Sequence, residues 1–158
     1  SPAAPPFPDE ETMQQYWNEI ELLQAHFLAR SALRRMDPRG EGSILMISSI
    51  AGLTGLGTPL TYGTSKAAMN HLTKELARVS GRNNVRINAI APGGINTPLV
   101  HNFQLADDID FALMQNHIGY RDPSSAEQIA AFFAFLASDE AANIHGSILS
   151  ADGGLTTA

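Results

Sequence analysis

The chain has 158 residues, of which 44% are hydrophobic and 16% are charged, and its formal net charge is -6. This length and balance suit one globular domain with its own core, and the negative charge gives no sign of a nucleic-acid partner. The chain contains no cysteine, which excludes disulfides, thiolate metal sites and a cysteine nucleophile. No apolar run approaches the ~20 residues of a membrane span, and the first residues lack the features of a signal peptide. We therefore expect a soluble cytoplasmic protein.

The first predicted elements are an extended lead-in and a long helix. Residues 1–8 contain four prolines, which fit neither a regular helix nor a central strand. Asp9 is a candidate N-cap, and a helix is predicted over about 10–36, where Asp37-Pro38-Arg39-Gly40 ends it. Its apolar stripe steps by three and four residues. The stripe contains Tyr16, Ile20, Leu23, Phe27 and Ser31.

A strand, a loop and a second long helix are predicted next. The apolar run over 43–48 shows no alternation, which is typical of a parallel strand covered on both faces. The glycine-rich loop over 52–59 leads to a helix over about 60–80, with Gly81 as its stop. The apolar side of this helix is expected to contain Ala68, Leu72, Leu76 and Val79.

The last third of the chain adds two strands and another helix. A strand over 85–90 is expected to be broken by Pro92-Gly93-Gly94. The segment 97–120 has no clear pattern and is expected to hold one or two short helices. A capping box at Ser124-x-x-Glu127 or Ser125-x-x-Gln128 then starts a helix. Its apolar positions, expected to be core or interface, are Ile129, Phe132, Phe133 and Leu136. A strand over 147–150 and Asp152-Gly153-Gly154 close the chain.

Strands that alternate with helices predict a single domain with a doubly wound parallel sheet. Ligands bind such sheets at the carboxyl ends of the strands. Ser49 and Pro92-Gly93 both follow predicted strands, and the helix that carries Tyr62 begins nearby. The sequence therefore predicts that these elements meet at one edge of the sheet, whereas Asn88 is expected to be structural.

Tyr62 and Lys66 are four residues apart, so on a helix their side chains share one face. A cation beside a phenol favours the phenolate, which helps the phenol to exchange a proton. A Tyr-x-x-x-Lys pair alone also occurs by chance in exposed helices. The five histidines show no metal-ligand spacing, and no metal site is expected.

Ser49, Tyr62 and Lys66, followed in order by Asn88-Ala-Ile-Ala-Pro92-Gly93 and Asp152-Gly153-Gly154, resemble the short-chain dehydrogenase/reductase family. The resemblance implies a Rossmann-like fold, NAD or NADP as cofactor, and interconversion of a small alcohol and a ketone or other carbonyl compound. Tyr62 would be the general acid/base, Lys66 would hold the nicotinamide ribose, and Ser49 would donate a hydrogen bond to the substrate oxygen. The resemblance also counts Tyr62 with Lys66 among the cofactor-binding residues. It assigns contacts with the nicotinamide end of the cofactor to Pro92, Gly93, Ile95 and Thr97.

The sequence departs from the family pattern in two places. No Gly-x-x-x-Gly-x-Gly turn precedes Ser49, so the chain corresponds to the second part of the family's domain. We expect a complementary N-terminal segment to supply the nucleotide-binding half and expect weak binding of NAD(P) without it. The family's helical Asn is matched by Leu22, which offers no side-chain hydrogen bond, and Asn18 is a weak substitute.

Two other interpretations remain open from the sequence. The chain could be a non-catalytic relative kept for oligomerisation or binding, or a proteolytic fragment without a function of its own. The choice between NAD and NADP and the substrate both stay open. Apolar positions on more than one face of the two long helices predict a homodimer or homotetramer.

Overall fold

The computed structural model describes residues 10–55, 60–98 and 121–157. The helices are α1 (Glu10–Met36), α2 (Leu60–Ser80) and α3 (Ala126–Ala137). The strands are β1 (Gly42–Ile47), β2 (Val85–Pro92), β3 (Ile95–Asn96), β4 (Ser124–Ser125) and β5 (Ile148–Ala151). The predicted lead-in over 1–8, the cap at Asp9, residues 56–59 of the loop and residues 99–120 lie outside the described residues.

The main sheet contains three parallel strands in the order β1-β2-β5. Helix α2 connects β1 to β2, and α3 lies between β2 and β5 in the chain, as parallel crossovers require. Strands β3 and β4 form a separate parallel pair beside the end of β2. The predicted doubly wound parallel sheet is therefore confirmed within the described residues.

The core occupies both faces of this sheet. One cluster joins α1 and α2 to β1 and β2, and a second joins α3 to the other face. Within α3, Ile129 and Leu136 are buried, and the neighbouring Phe132 and Phe133 pack against the second cluster. The predicted apolar face of this helix is thus confirmed. No described helix combines the length and apolarity needed to cross a membrane.

Local capping signals place the helix ends. Helix α2 ends at Ser80, directly before Gly81, as predicted. Helix α3 begins with a full capping box, in which the Ser125 side chain accepts from the Gln128 N–H and Gln128 bonds back to the Ser125 N–H. Gly40 closes the turn after α1 with a φ of 69°, a conformation that glycine adopts without steric cost.

The stripe predicted for α1 is wrong where its side chains are described. Leu23 and Phe27 are 55% and 64% exposed, whereas Ala29 and Leu33 are buried against α2 and the sheet. Both sets of residues recur at helical spacing, and the smaller alanine lets α1 approach its neighbours closely. The prediction that Val79 lies on the core side of α2 is also wrong, because its side chain is 72% exposed.

Two predictions about the strands need correction. Strand β1 is only partly buried, and Ile47 is 60% exposed, because β1 is an outer strand of the three-stranded sheet. Strand β2 runs two residues beyond the predicted 85–90 and ends at Pro92, which still pairs with Ala151, so the chain breaks at the predicted Pro92-Gly93-Gly94. Proline lacks an N–H, but the next residue restores the ladder when Gly93 N donates to Ala151 O at 3.1 Å.

Candidate active site

The carboxyl ends of β1 and β2 form the edge where the predicted site residues begin. Ile47 is paired with Ile90 across these strands, and Ser48 N donates to Ile90 O at 2.8 Å. Ser49 and Pro92 each lie two residues beyond this pair. The register therefore brings the two predicted segments out of the sheet side by side, at the edge where parallel sheets bind ligands.

Ser49 caps a short 3-10 helix, Ile50–Gly52, that follows β1 directly. Its backbone is extended, and its Oγ accepts a hydrogen bond from Ala51 N at 3.2 Å. Accepting this bond uses an oxygen lone pair and not the hydroxyl hydrogen. The cap therefore fixes the position of Ser49 while leaving its hydroxyl able to act as a donor.

The loop after Ser49 is held tightly against α2. A Cβ atom on Gly52 would lie 2.6 Å from the carbonyl carbon of Lys66, so only glycine allows this approach. Asn70 Nδ2 donates to Gly52 O at 3.1 Å, and Ser48 Oγ donates to Lys66 O at 3.3 Å. The glycine-rich composition of the loop indicated Gly52, whereas Ser48 and Asn70, which support the site, carry no comparable signal in the sequence.

Tyr62 and Lys66 lie one turn apart at the start of α2, as their spacing predicts. The Lys66 Nζ is 5.6 Å from the centroid of the Tyr62 ring, within the range of a cation–π contact. Lys66 is only 4% exposed, while Tyr62 is partly buried. The structure thus brings together a phenol and a nearly buried ammonium group beside the end of β1.

Lys66 also meets a residue that the sequence analysis did not select. Its Nζ donates to Glu21 Oε1 at 2.5 Å and to Ile47 O at 3.2 Å. Leu22, matched to the family's Asn, instead packs against the core. A buried lysine needs a negatively charged partner. This requirement could have pointed to Glu21, the acidic residue next to Leu22.

The second predicted segment leaves β2 through a close contact. A Cβ atom on Gly93 would lie 2.9 Å from the Cα of Asp152, so the Asp152 turn packs directly on this glycine. Ile95 pairs with Ser124 in the small β3–β4 ladder, and Thr97 follows it, partly buried. The turn predicted to meet the nicotinamide is therefore supported by two other parts of the chain.

Two carboxylates have pKa values below their ordinary range. Partial burial acts to raise the pKa of Asp152, but hydrogen bonds from the Thr156 hydroxyl and from the N–H groups of Gly154 and Thr156 lower it overall. The backbone N–H of Glu127 and the Ser125 hydroxyl lower the pKa of Glu127. Within the described ranges, no three His, Asp or Glu side chains are grouped as metal ligands.

The chain matches the family model described as Enoyl-(Acyl carrier protein) reductase over residues 9–156. It belongs to the short-chain dehydrogenase/reductase family. Among curated relatives of this family, it is 37% identical over 138 residues to the cis-4-hydroxycyclohexanecarboxylate dehydrogenase of Sinomonas cyclohexanicum. That match covers 87% of this chain and 54% of the relative. The chain spans about half the length of the curated relatives it matches.

Solved structures of short-chain dehydrogenases/reductases share this fold. The structure of ElxO with NADP bound superposes with a TM-score of 0.75 at 30% identity, over 87% of this chain and 56% of that one. 4-Hydroxyisoleucine dehydrogenase complexed with NADH gives a TM-score of 0.74 at 27% identity, over 89% of this chain and 58% of that one. The predicted family and the partial Rossmann-like fold are confirmed.

Proposed function

We propose that this chain is the catalytic part of an NAD(P)-dependent oxidoreductase that interconverts an alcohol and a carbonyl group. The observation that carries the proposal is the placement of Tyr62 5.6 Å from the nearly buried Lys66 ammonium, at the carboxyl end of β1. Ser49 follows the same end of β1, and its cap holds its hydroxyl group in place. A phenol, an ammonium and a hydroxyl together suit a substrate oxygen that gains or loses a proton.

Each of these side chains has a separate task in the proposed reaction. Reduction of a carbonyl group adds a hydride to carbon and a proton to oxygen, and oxidation of the alcohol removes both. When bound, the nicotinamide nucleotide supplies or accepts the hydride. Tyr62 delivers the proton to the substrate oxygen or removes it, and Ser49 donates a hydrogen bond that orients this oxygen. Lys66 places a positive charge beside Tyr62, with its Nζ 5.6 Å from the ring centroid.

The donor set of the site also fits the cofactor. An ammonium has three N–H donors, and the contacts of Lys66 with Glu21 and Ile47 use two of them. We assign the third to the nicotinamide ribose, and we assign the carboxamide end to Pro92, Gly93, Ile95 and Thr97. Relatives with NADP or NADH bound support a nicotinamide nucleotide and leave the choice between the two forms open.

The match covers only about half of each of these relatives, which supports a complementary N-terminal segment as a partner in the full activity. In the proposed assembly, that segment supplies the glycine-rich turn for the pyrophosphate, and this chain supplies the residues around the nicotinamide. A small alcohol or ketone is the proposed substrate.

Replacement of Tyr62 by Phe tests the proposal, because it removes one hydroxyl group and keeps the ring. In an assembly with a complete cofactor site, we expect Tyr62→Phe to lower kcat by ~10²–10⁴-fold, the usual contribution of a general acid/base. The unfolding free energy of the variant, measured in urea, serves as the control and should stay within about 0.5 kcal/mol of wild type. Near-normal kcat in the Phe variant contradicts the role of Tyr62.

We also propose that the protein assembles as a homodimer or homotetramer. Helix α1 exposes Leu23, Phe27 and Leu28, and α2 exposes Val79, at 55%, 64%, 70% and 72% respectively. Large apolar side chains on neighbouring helices favour burial against another chain. Light scattering at micromolar concentration should show a mass of at least two chains, and a stable monomer of 16.9 kDa contradicts this proposal.

A further inference from the structure

The contact between Glu21 and Lys66 links two distant parts of the chain at the proposed site. The residues are separated by 45 positions, yet their side chains approach to 2.5 Å. The Lys66 side chain is 5% exposed, whereas the Glu21 side chain is 43% exposed. The carboxylate therefore has one side against a buried ammonium and another side open to solvent.

The burial of Lys66 makes this contact necessary. An ammonium removed from water carries a large desolvation cost unless a counter-charge and hydrogen-bond acceptors replace the water. Helix α1 contributes Glu21, β1 contributes the Ile47 carbonyl, and α2 contributes the Tyr62 ring. In the described part of the chain, Glu21 is the one carboxylate within salt-bridge distance of Nζ. It alone supplies a negative charge among these neighbours.

We infer that Glu21 is a positioning residue, which fixes the Lys66 ammonium beside Tyr62 and balances its charge. The part of this inference that concerns the reaction rests on the proposed function, in which Lys66 acts on Tyr62 and the cofactor. The part that concerns the contact of Glu21 with Lys66 does not. Glu21 occupies the place next to Leu22, where the side chain expected from the family resemblance is missing.

The chain offers a clean measurement of this contact, because its lysines are Lys66 and Lys74 alone. Lys74 lies on the exposed side of the same helix and serves as an internal reference. Heteronuclear NMR of ¹⁵N-labelled lysine ammonium groups reports how fast their protons exchange with water. In the wild-type chain, we expect the ammonium protons to exchange slowly at Lys66 and fast at Lys74. The Lys66 signal is the one that disappears in Lys66→Arg.

Glu21→Gln should speed exchange at Lys66 by about tenfold or more, the factor expected when a charge-assisted hydrogen bond is lost. Glu75→Gln is the matched control, because Glu75 pairs with His71 on the exposed face of α2. Glu21→Asp keeps the charge and should retain part of the protection. Equal exchange in wild type and Glu21→Gln overturns the inference. Should Glu21→Gln fail to fold, a wild-type Lys66 signal that exchanges as fast as Lys74 overturns it.

A second arm separates positioning from simple structural support. In an assembly with a complete cofactor site, Glu21→Gln should lower kcat by about tenfold, because the Lys66 ammonium loses the contact that fixes its position. It should also change the pH profile of alcohol oxidation, because a negative charge is removed from the site. Glu21→Asp should restore part of kcat, and an unchanged pH profile overturns the positioning role. The exchange measurement needs no turnover, so its result stands even where Tyr62→Phe contradicts the proposed function.

Discussion

Lys66 and Arg86 are two cations in the same fold, and different kinds of groups hold them. Lys66 contacts a carboxylate, one backbone carbonyl and an aromatic ring at the carboxyl end of β1. Arg86, on β2, points to the other face of the sheet, where all the acceptors of its guanidinium in the described part of the chain are backbone carbonyls. Its acceptors are the oxygens of Leu136, Ala137, Ser138 and Ala141, at 2.7 to 3.2 Å.

The arrangement around Arg86 suits a structural role. The last carbonyls of a helix have no partner within the helix, and they carry the negative end of its dipole. The planar fork of Arg86 reaches several of them at the end of α3 at once. None of these acceptors titrates, so the contact does not change over the pH range in which enzymes work.

The neighbouring polar residues follow the same rule. Asn88 is fully buried, and its amide donates to Ile144 O at 2.8 Å and accepts from Ser147 N at 3.0 Å. His145 accepts from Ile87 N through Nδ1 and lies 2.9 Å from Ala77 O through Nε2, which fits the tautomer with the proton on Nε2. These residues bond to backbone groups, whereas Lys66 adds a carboxylate and an aromatic ring to its one backbone acceptor. Substitutions should therefore affect stability in the first region and chemistry in the second.

Asn88→Leu should produce the largest loss of stability and so tests this division directly. The substitution keeps the number and branching of the side-chain heavy atoms but leaves the Ile144 carbonyl and the Ser147 N–H without their partner. Each backbone group left unsatisfied costs about 1–3 kcal/mol. Urea unfolding measures the change, with Asn143→Leu at an exposed position as the matched control. Equal losses in the two variants would contradict a structural role for Asn88.

Arg86→Lys should have a smaller effect, because it keeps the charge and removes only the fork. One ammonium cannot reach the carbonyls at the end of α3 that two guanidinium nitrogens reach now. We expect a loss of about 1–2 kcal/mol in the free energy of unfolding. Arg78→Lys, on the exposed side of α2, is the control, and the prediction fails where both variants unfold alike in urea.

The parts of the fold that depend on neighbouring residues were predictable from sequence. The end of α2 before Gly81 and the capping box of Ser125 with Gln128 follow from local backbone chemistry. The buried face of α1 was not predictable in this way. Leu23 and Phe27 recur at helical spacing as regularly as the residues that are buried, and only contact with α2 and the sheet decides between the two faces.

The site shows the same limit. The spacing of Tyr62 and Lys66 fixes their shared face, because both lie on one helix. The contact of Lys66 with Glu21 joins two helices, and it depends on the rotation of α1 about its axis. One residue along a helix turns the side chain by about 100°, which separates Glu21 at the site from Leu22 in the core. Sequence spacing alone does not supply that rotation.

Asp152 combines features of both regions and gives the smallest predicted effect. It packs on Gly93 at the proposed site, but backbone N–H groups and the Thr156 hydroxyl hold its carboxylate. Although burial acts to raise the pKa of Asp152, these bonds lower it below the ordinary 3.8. The folded state therefore favours the charged form. This contribution to stability is complete above pH 3.8 and is lost as the pH falls through the folded-state pKa.

Asp152→Asn should therefore lose less unfolding free energy than wild type when the pH is lowered. The difference should be less than about 1 kcal/mol, because the carboxylate is partly solvated. Urea unfolding at about pH 5 and about pH 3 measures the change across the window in which this group titrates. Wild type should lose more stability between the two conditions than Asp152→Asn does. Asp122→Asn, at an exposed position, is the control and should keep the wild-type dependence. An equal loss of unfolding free energy in Asp152→Asn and in wild type would contradict this prediction. Asp152 would then behave as an ordinary surface carboxylate, and its hydrogen bonds to backbone N–H groups would not stabilise the fold as those around Arg86 do.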